Sequence, residues 1–178
     1  AGEVHGILGE NGAGKTTLLN ILGGIIRPDV GSLEMGGTPV RLQSARAAWE
    51  MGVGLVHQHF TLVPGLSVLE NLALGRRHEG RRWTLRLEEI RQEAYRLGRL
   101  TGLNVPFEAS IEELGVGDRQ RIEILKALLR DPQLLVLDEP TAVLAPAEIE
   151  QLFGLLRTLA NEGRAVVLVA HKLDEILS

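Results

Sequence analysis

Apolar positions along the chain follow two rhythms. Short runs rich in β-branched residues, Val4–Leu8, Gly52–Val56, Leu134–Leu137 and Ala165–Ala170, read as strands. Elsewhere apolar residues recur every three or four positions, the spacing of a helix with one buried face. Leu87, Ile90, Ala94 and Leu97 mark a helix over 84–100, and Ile122, Leu125 and Leu129 one over 118–130. Ile149, Leu152, Phe153, Leu156 and Leu159 mark another, opened by Pro146 and ended by Gly163. A shorter helix is expected over 67–74, and the stretch 32–40 reads as a hairpin turning at Gly36-Gly37. Strands alternating with helices predict an α/β fold: a mainly parallel sheet with crossover helices, one small antiparallel hairpin, and an inserted helical sub-domain where strands disappear. The division expected is a core of residues 1–60 and 131–178 with a helical sub-domain at 61–130.

Each strand run ends in polar residues, and in open α/β sheets the ligand crevice lies beyond the strands' C-terminal ends. The first leads into GENGAGKTT, in which Gly9, Gly12, Gly14, Lys15 and Thr16 fit the phosphate-loop spacing G-x-x-x-x-G-K-[ST]. Glycines open backbone conformations closed to other residues and leave N–H groups uncovered. The loop Gly9, Glu10, Asn11, Gly12, Ala13, Gly14, Lys15, Thr16 and Thr17 is therefore expected to wrap phosphates at a helix N-terminus, Lys15 reaching the β- and γ-phosphates and the Thr16 hydroxyl ligating Mg²⁺. The third run ends in Asp138-Glu139, the form of a Walker B strand: Asp138 would hold the Mg²⁺ and Glu139 would orient and deprotonate the attacking water. After the second run, Gln58 could contact metal and water; after the fourth, His171 could hydrogen-bond the γ-phosphate. The expectation is a P-loop NTPase that holds a nucleotide with Mg²⁺. His57 and His59 lack the spacing and companions of a zinc site and are read as loop histidines.

Bulk composition narrows the partners. The 178 residues, 44% hydrophobic, suffice for one domain with a core, and a net charge of −4 argues against general nucleic-acid binding or electrostatic attachment to lipid. With no cysteine there is no disulfide, thiolate metal site or cysteine nucleophile. No apolar run is long enough to span a bilayer, so membrane association is expected through a partner. The chain opens on a strand and closes just after another, which reads as a fragment of a longer protein.

Leu114-Gly115-Val116-Gly117-Asp118-Arg119-Gln120-Arg121, shortly before the Walker B strand, resembles the signature motif of ATP-binding-cassette ATPases. With GENGAGKTT, VHQHF, LLVLDEPTAVLAP and VAHKLDE in that order, the resemblance spans nearly the whole chain. GLVHQHFTLVP, EILKAL and TAVLAP are more narrowly similar to the ATPase subunits of bacterial simple-sugar and nucleoside importers, in which two cassettes usually share one polypeptide; this piece resembles the first. The resemblance implies a second cassette, in the same polypeptide or a homodimer. ATP would be held between the Lys15 loop of one cassette and the Gly115 and Gly117 backbone of the other. It also implies membrane-spanning permease subunits reached through the segment after Gln58, a solute-binding protein acting indirectly, and a place on the cytoplasmic face of the cell membrane.

The chain departs from that family's pattern in three respects. Gly115 stands at the serine position and Arg119 where glutamine is more usual, and the loop Thr141–Leu144 lacks an aspartate many cassettes carry. The signature motif serves the opposing nucleotide, so the expectation is two unequal composite sites, with this chain's own loop feeding the stronger one. An adenine-stacking aromatic is expected upstream of Ala1, leaving this piece to grip nucleotide mainly by its phosphates and to hydrolyse it poorly alone. Two other readings remain. Arg76, Arg77, Arg81 and Arg82 around Trp83 could bind single strands, as in cassette ATPases acting on nucleic acid or ribosomes, although nearby Glu79, Glu88 and Glu89 dilute the charge. A regulatory nucleotide binder would be favoured by loss of Lys15 or Glu139, and both are present.

Overall fold

The computed structural model describes residues 2–74 and 87–170. His171 and the arginines around Trp83 lie outside the described residues. The described elements are, in chain order, β1 (Val4–Leu8), α1 (Lys15–Leu22), β2 (Leu33–Met35), β3 (Thr38–Val40), α2 (Ala45–Glu50), β4 (Val53–Val56), α3 (Val68–Leu74), α4 (Leu87–Thr101), α5 (Val116–Leu128), β5 (Leu134–Asp138), α6 (Pro146–Asn161) and β6 (Ala165–Ala170), with a short 3-10 turn at Ile111–Glu113.

Four strands form a parallel sheet in the order β1-β6-β5-β4. In β5, Leu135, Val136 and Leu137 are fully buried, which is why the run is apolar without alternation: helices cover both faces. Successive side chains still point to opposite sides. Leu135, Leu137, Val166 and Leu168 join a core with α3, α5 and α6, whereas Val136 and Val169 join a second core with Leu19 of α1 and Ala48 of α2. The antiparallel pair β2–β3 turns at Gly36 and Gly37, both at positive φ (57° and 77°), the conformation a tight two-residue hairpin turn requires.

The helical stripes read from the sequence face inward: Ile90 and Ala94 of α4, Ile122 and Leu125 of α5, and Leu152, Phe153, Leu156 and Leu159 of α6 are buried. Element ends differ by a few residues. Helix α5 begins at Val116 because Gly115, in extended conformation, caps it. Ser67 is the cap of α3 instead of its first residue: its N–H and hydroxyl both donate to Glu70 Oε2 at 2.8 Å, and its Oγ accepts the Glu70 N–H at 3.2 Å. These donors hold the Glu70 carboxyl below its ordinary range. Helix α2 carries no periodic signal at six residues; its marker is Ser44, whose Oγ accepts the Ala47 N–H at 3.1 Å. Among the described residues, no helix is long and apolar enough to cross a membrane.

Candidate functional site

All four core strands run parallel, so their C-terminal ends share one edge of the sheet. The register sets who stands beside whom there. Ile7 of β1 is level with Val169 of β6, and Val169 with Asp138 of β5. Two strand spacings, about 10 Å, therefore separate the strand that enters the glycine loop from the one that ends in the acids. Helix α1 closes this gap: Leu19, one turn beyond Lys15, packs with Val136 and Val169.

The loop after β1 has the backbone that phosphate wrapping demands. Gly12 and Gly14 lie at positive φ (84° and 93°), and Gly14 is the N-cap of α1. Lys15 is buried, and its Nζ donates to the carbonyls of Gly9 at 2.6 Å and Glu10 at 3.1 Å, so its charge is directed back over the loop. Thr16 and Thr17 are exposed on the first turn of α1, as are Glu10, Asn11 and Ala13 in the loop.

On the acid side, Asp138 is buried at the tip of β5. Glu139, half-buried, takes a left-handed backbone (φ 49°) unusual for a side chain with a Cβ; it is held there by its N–H donating to the Val169 carbonyl at 3.1 Å. In the β4–β5 register, Val56 pairs with Leu137, and two residues further on each strand stand Gln58 and Glu139. Gln58 Nε2 indeed donates to Glu139 Oε2 at 3.0 Å, although the two are 81 positions apart.

Gly115 and Gly117 stand elsewhere, at the start of α5. Arg121 bridges Asp118 (2.8 Å) and Glu148, and the other Glu148 oxygen accepts the Ala145 N–H at 2.8 Å. The signature segment is thereby tied to the opening of α6, which follows the loop after Glu139. A Cβ on Gly117 would meet Glu148 Oε1 at 3.1 Å, whereas one on Gly115 would meet nothing within 4 Å.

The sequence reading missed a polar cluster beside Gln58. Glu123 of α5, buried, accepts with Oε1 both the N–H and the hydroxyl of Thr61, the latter at 2.8 Å. Lys126 Nζ donates to Thr61 Oγ1 at 3.2 Å and lies 3.9 Å from Glu123 Oε2. Burial pulls the Lys126 ammonium below the usual lysine range, against the attraction of Glu123; the Arg130 guanidinium is lowered by burial in the same way and sits 4.3 Å over the Trp49 ring. The only local hint was charge on the inward side of an otherwise apolar helix face.

As a metal site, Thr16, Gln58 and Asp138 offer a hydroxyl, an amide oxygen and a carboxylate. Such hard oxygen donors suit Mg²⁺, which keeps waters and phosphate oxygens in its shell. Among the described residues no group of three or more His, Asp or Glu could hold a metal ion by itself.

A family model described as ABC transporter matches residues 1–142. The glucose import ATP-binding protein TsgD13 of Haloferax volcanii is 42% identical over 98% of this chain and 37% of its own length. The nucleoside import ATP-binding protein NupA of Lactococcus lactis subsp. cremoris is 44% identical over 98% of this chain and 34% of its own. For the ribose import ATP-binding protein RbsA 1 of Burkholderia thailandensis the figures are 45%, 98% and 35%. The chain thus spans about a third of the length of these relatives. Among solved structures, a nucleotide-free ATP-binding cassette from an ABC transporter superposes with a TM-score of 0.86 at 26% identity, covering 99% of this chain and 73% of that one. A dimeric post-hydrolysis cassette bound to ADP and Pi superposes at 0.81 and 28%, covering 98% and 77%.

Proposed function

The chain belongs to the ABC transporter family, and we propose that it is an ATP-binding and ATP-hydrolysing cassette of an importer for simple sugars or nucleosides. The observation that carries this reading is the sheet edge at which the Lys15 loop, Asp138, Glu139 and Gln58 assemble, with Gln58 already hydrogen-bonded to Glu139. The import activities of the glucose, nucleoside and ribose relatives support the solute class.

In this mechanism the loop N–H groups from Gly9 to Thr17 and the Lys15 ammonium bind the triphosphate, Lys15 exchanging its carbonyl partners for phosphate oxygens. Thr16, Asp138 and Gln58 would hold Mg²⁺, which when bound offsets phosphate charge. Glu139 accepts the proton of the water that attacks the γ-phosphorus, and the Gln58 amide orients that water. His171, which follows Ala170 in the sequence and lies outside the described residues, would donate to the γ-phosphate.

Gly115 and Gly117 present backbone N–H groups to ATP held by a second cassette, so ATP favours the closed pair and hydrolysis releases it. In this arrangement residues 61–130 act as the helical sub-domain. The segment after Gln58 passes closure to membrane-spanning permease subunits at the cytoplasmic face of the membrane, and a solute-binding protein acts indirectly. The relatives and solved structures lend nothing to a nucleic-acid role.

The test is phosphate release by the full-length protein with ATP and Mg²⁺, alongside Glu139→Gln. The expected result is ATP affinity within about threefold of wild type and turnover lower by about 10²–10⁴-fold. Normal turnover by the variant would remove Glu139 as the base. Uptake of a labelled sugar or nucleoside by cells carrying the intact transporter checks the solute class.

A further inference from the structure

The placement of Gln58 depends on two anchors. Upstream, Val56 is fixed by its register with Leu137 in the sheet. Downstream, Thr61 is fixed by Glu123, 62 positions away in sequence. Between them, residues 57–60 belong to no helix or strand, so where Gln58 stands relative to Glu139 follows from where those two ends are held.

We propose that Glu123 is a positioning residue for hydrolysis, holding Thr61 so that the Gln58 amide stays against the Glu139 carboxylate; the inference rests on the ATPase reading above.

Three observations support it. One carboxylate oxygen accepts both donors of Thr61, which fixes backbone and side chain together. Lys126 closes the ring by donating to the same hydroxyl and pairing with Glu123, so the hydroxyl is used as donor and acceptor at once. Beyond Thr61, the fully buried Asn71 of α3 accepts the Val63 N–H at 2.7 Å and donates to the carbonyls of Val63 (3.1 Å) and Ser67 (3.0 Å). The segment leaving Gln58 is therefore anchored to α5 and α3. The phosphate loop, by contrast, is built on β1 and α1, so a disturbance at Glu123 reaches water activation and spares phosphate binding.

The experiment is a double-mutant cycle in the full-length protein, crossing Glu123→Ala with Gln58→Ala and measuring kcat, KM and nucleotide affinity. Glu123→Ala is expected to lower kcat about 10- to 100-fold, in line with the cost of small misplacements, with ATP affinity within twofold. In the Gln58→Ala background it should add less than threefold. Glu123→Gln, which keeps an acceptor oxygen for both Thr61 donors, should restore kcat to within about threefold.

Full multiplicative effects in the double variant, or a loss of ATP affinity matching the loss of kcat, would overturn the proposal while leaving the ATPase reading intact. No effect of Gln58→Ala alone would overturn Gln58's role and the proposal with it, whereas absence of hydrolysis by wild type would sink the ATPase reading itself. Should Glu123→Ala not fold, Thr61→Val replaces the hydroxyl by a methyl of similar size and leaves the backbone N–H bond to Glu123 in place. It should lower kcat about three- to tenfold in the wild-type background and not at all beside Gln58→Ala.

Discussion

The left-handed backbone at Glu139 carries a measurable cost. A residue with a Cβ at φ 49° costs about 1–2 kcal/mol relative to the right-handed region. Glycine lacks that penalty and gives back roughly 0.5–1 kcal/mol in conformational entropy. Replacing Glu139 by glycine and, separately, by alanine removes the carboxylate and the Gln58 hydrogen bond in both cases, so their difference isolates the backbone. The glycine variant should be the more stable of the two by about 0.5–1 kcal/mol, the reverse of the usual order. For a chain of 178 residues that is a difference of about 1–4 °C in Tm, readable by thermal or urea denaturation of the two variants side by side. Both should lose hydrolysis. An alanine variant as stable as the glycine variant would refute strain at this position, and with it the idea that the Val169 carbonyl holds the base in an unfavourable backbone for the sake of its aim.

Lys15→Met removes a charged donor from the phosphates and should weaken ATP binding roughly 10- to 150-fold, checked by titration with a fluorescent nucleotide. Gly115→Ser restores a hydroxyl at the start of α5 where a Cβ meets nothing within 4 Å, so it should fold unchanged and raise turnover of the intact transporter about tenfold or more; unaltered ATPase activity would count against unequal composite sites. Because Ser67 depresses the Glu70 carboxyl, its charge stabilises the fold above the ordinary value of 4.5, and that contribution is lost as pH falls through the lowered folded-state value. Wild type should then exceed Glu70→Gln in Tm at neutral pH, with the gap closing in acid; a gap constant from pH 7 to 3 would show that the carboxylate charge is idle.

Local physics is written along the chain. Apolar period decided which segments became strands and helices, as β1 and β6 show by starting and ending where their β-branched runs do. The backbone of the proposed phosphate loop was legible in its glycines, because the positive φ found at Gly12 and Gly14 is a property of single residues. Polar tips on apolar runs marked Asp138, Glu139 and Gln58 as candidates for the proposed site, and the structure brings Gln58 against Glu139.

Adjacency is a different matter. The order β1-β6-β5-β4, and hence the meeting of Gln58 with Glu139 across 81 positions, follows from which apolar faces bury one another when several strands compete. The bonds of Glu123 to Thr61 and of Glu148 to Arg121, and the seat of Arg130 over Trp49, follow in turn from helices already packed on that sheet. A charged residue in sequence shows only that it needs a partner. Burial between packed elements, where an unpaired charge would be costly, chooses which one.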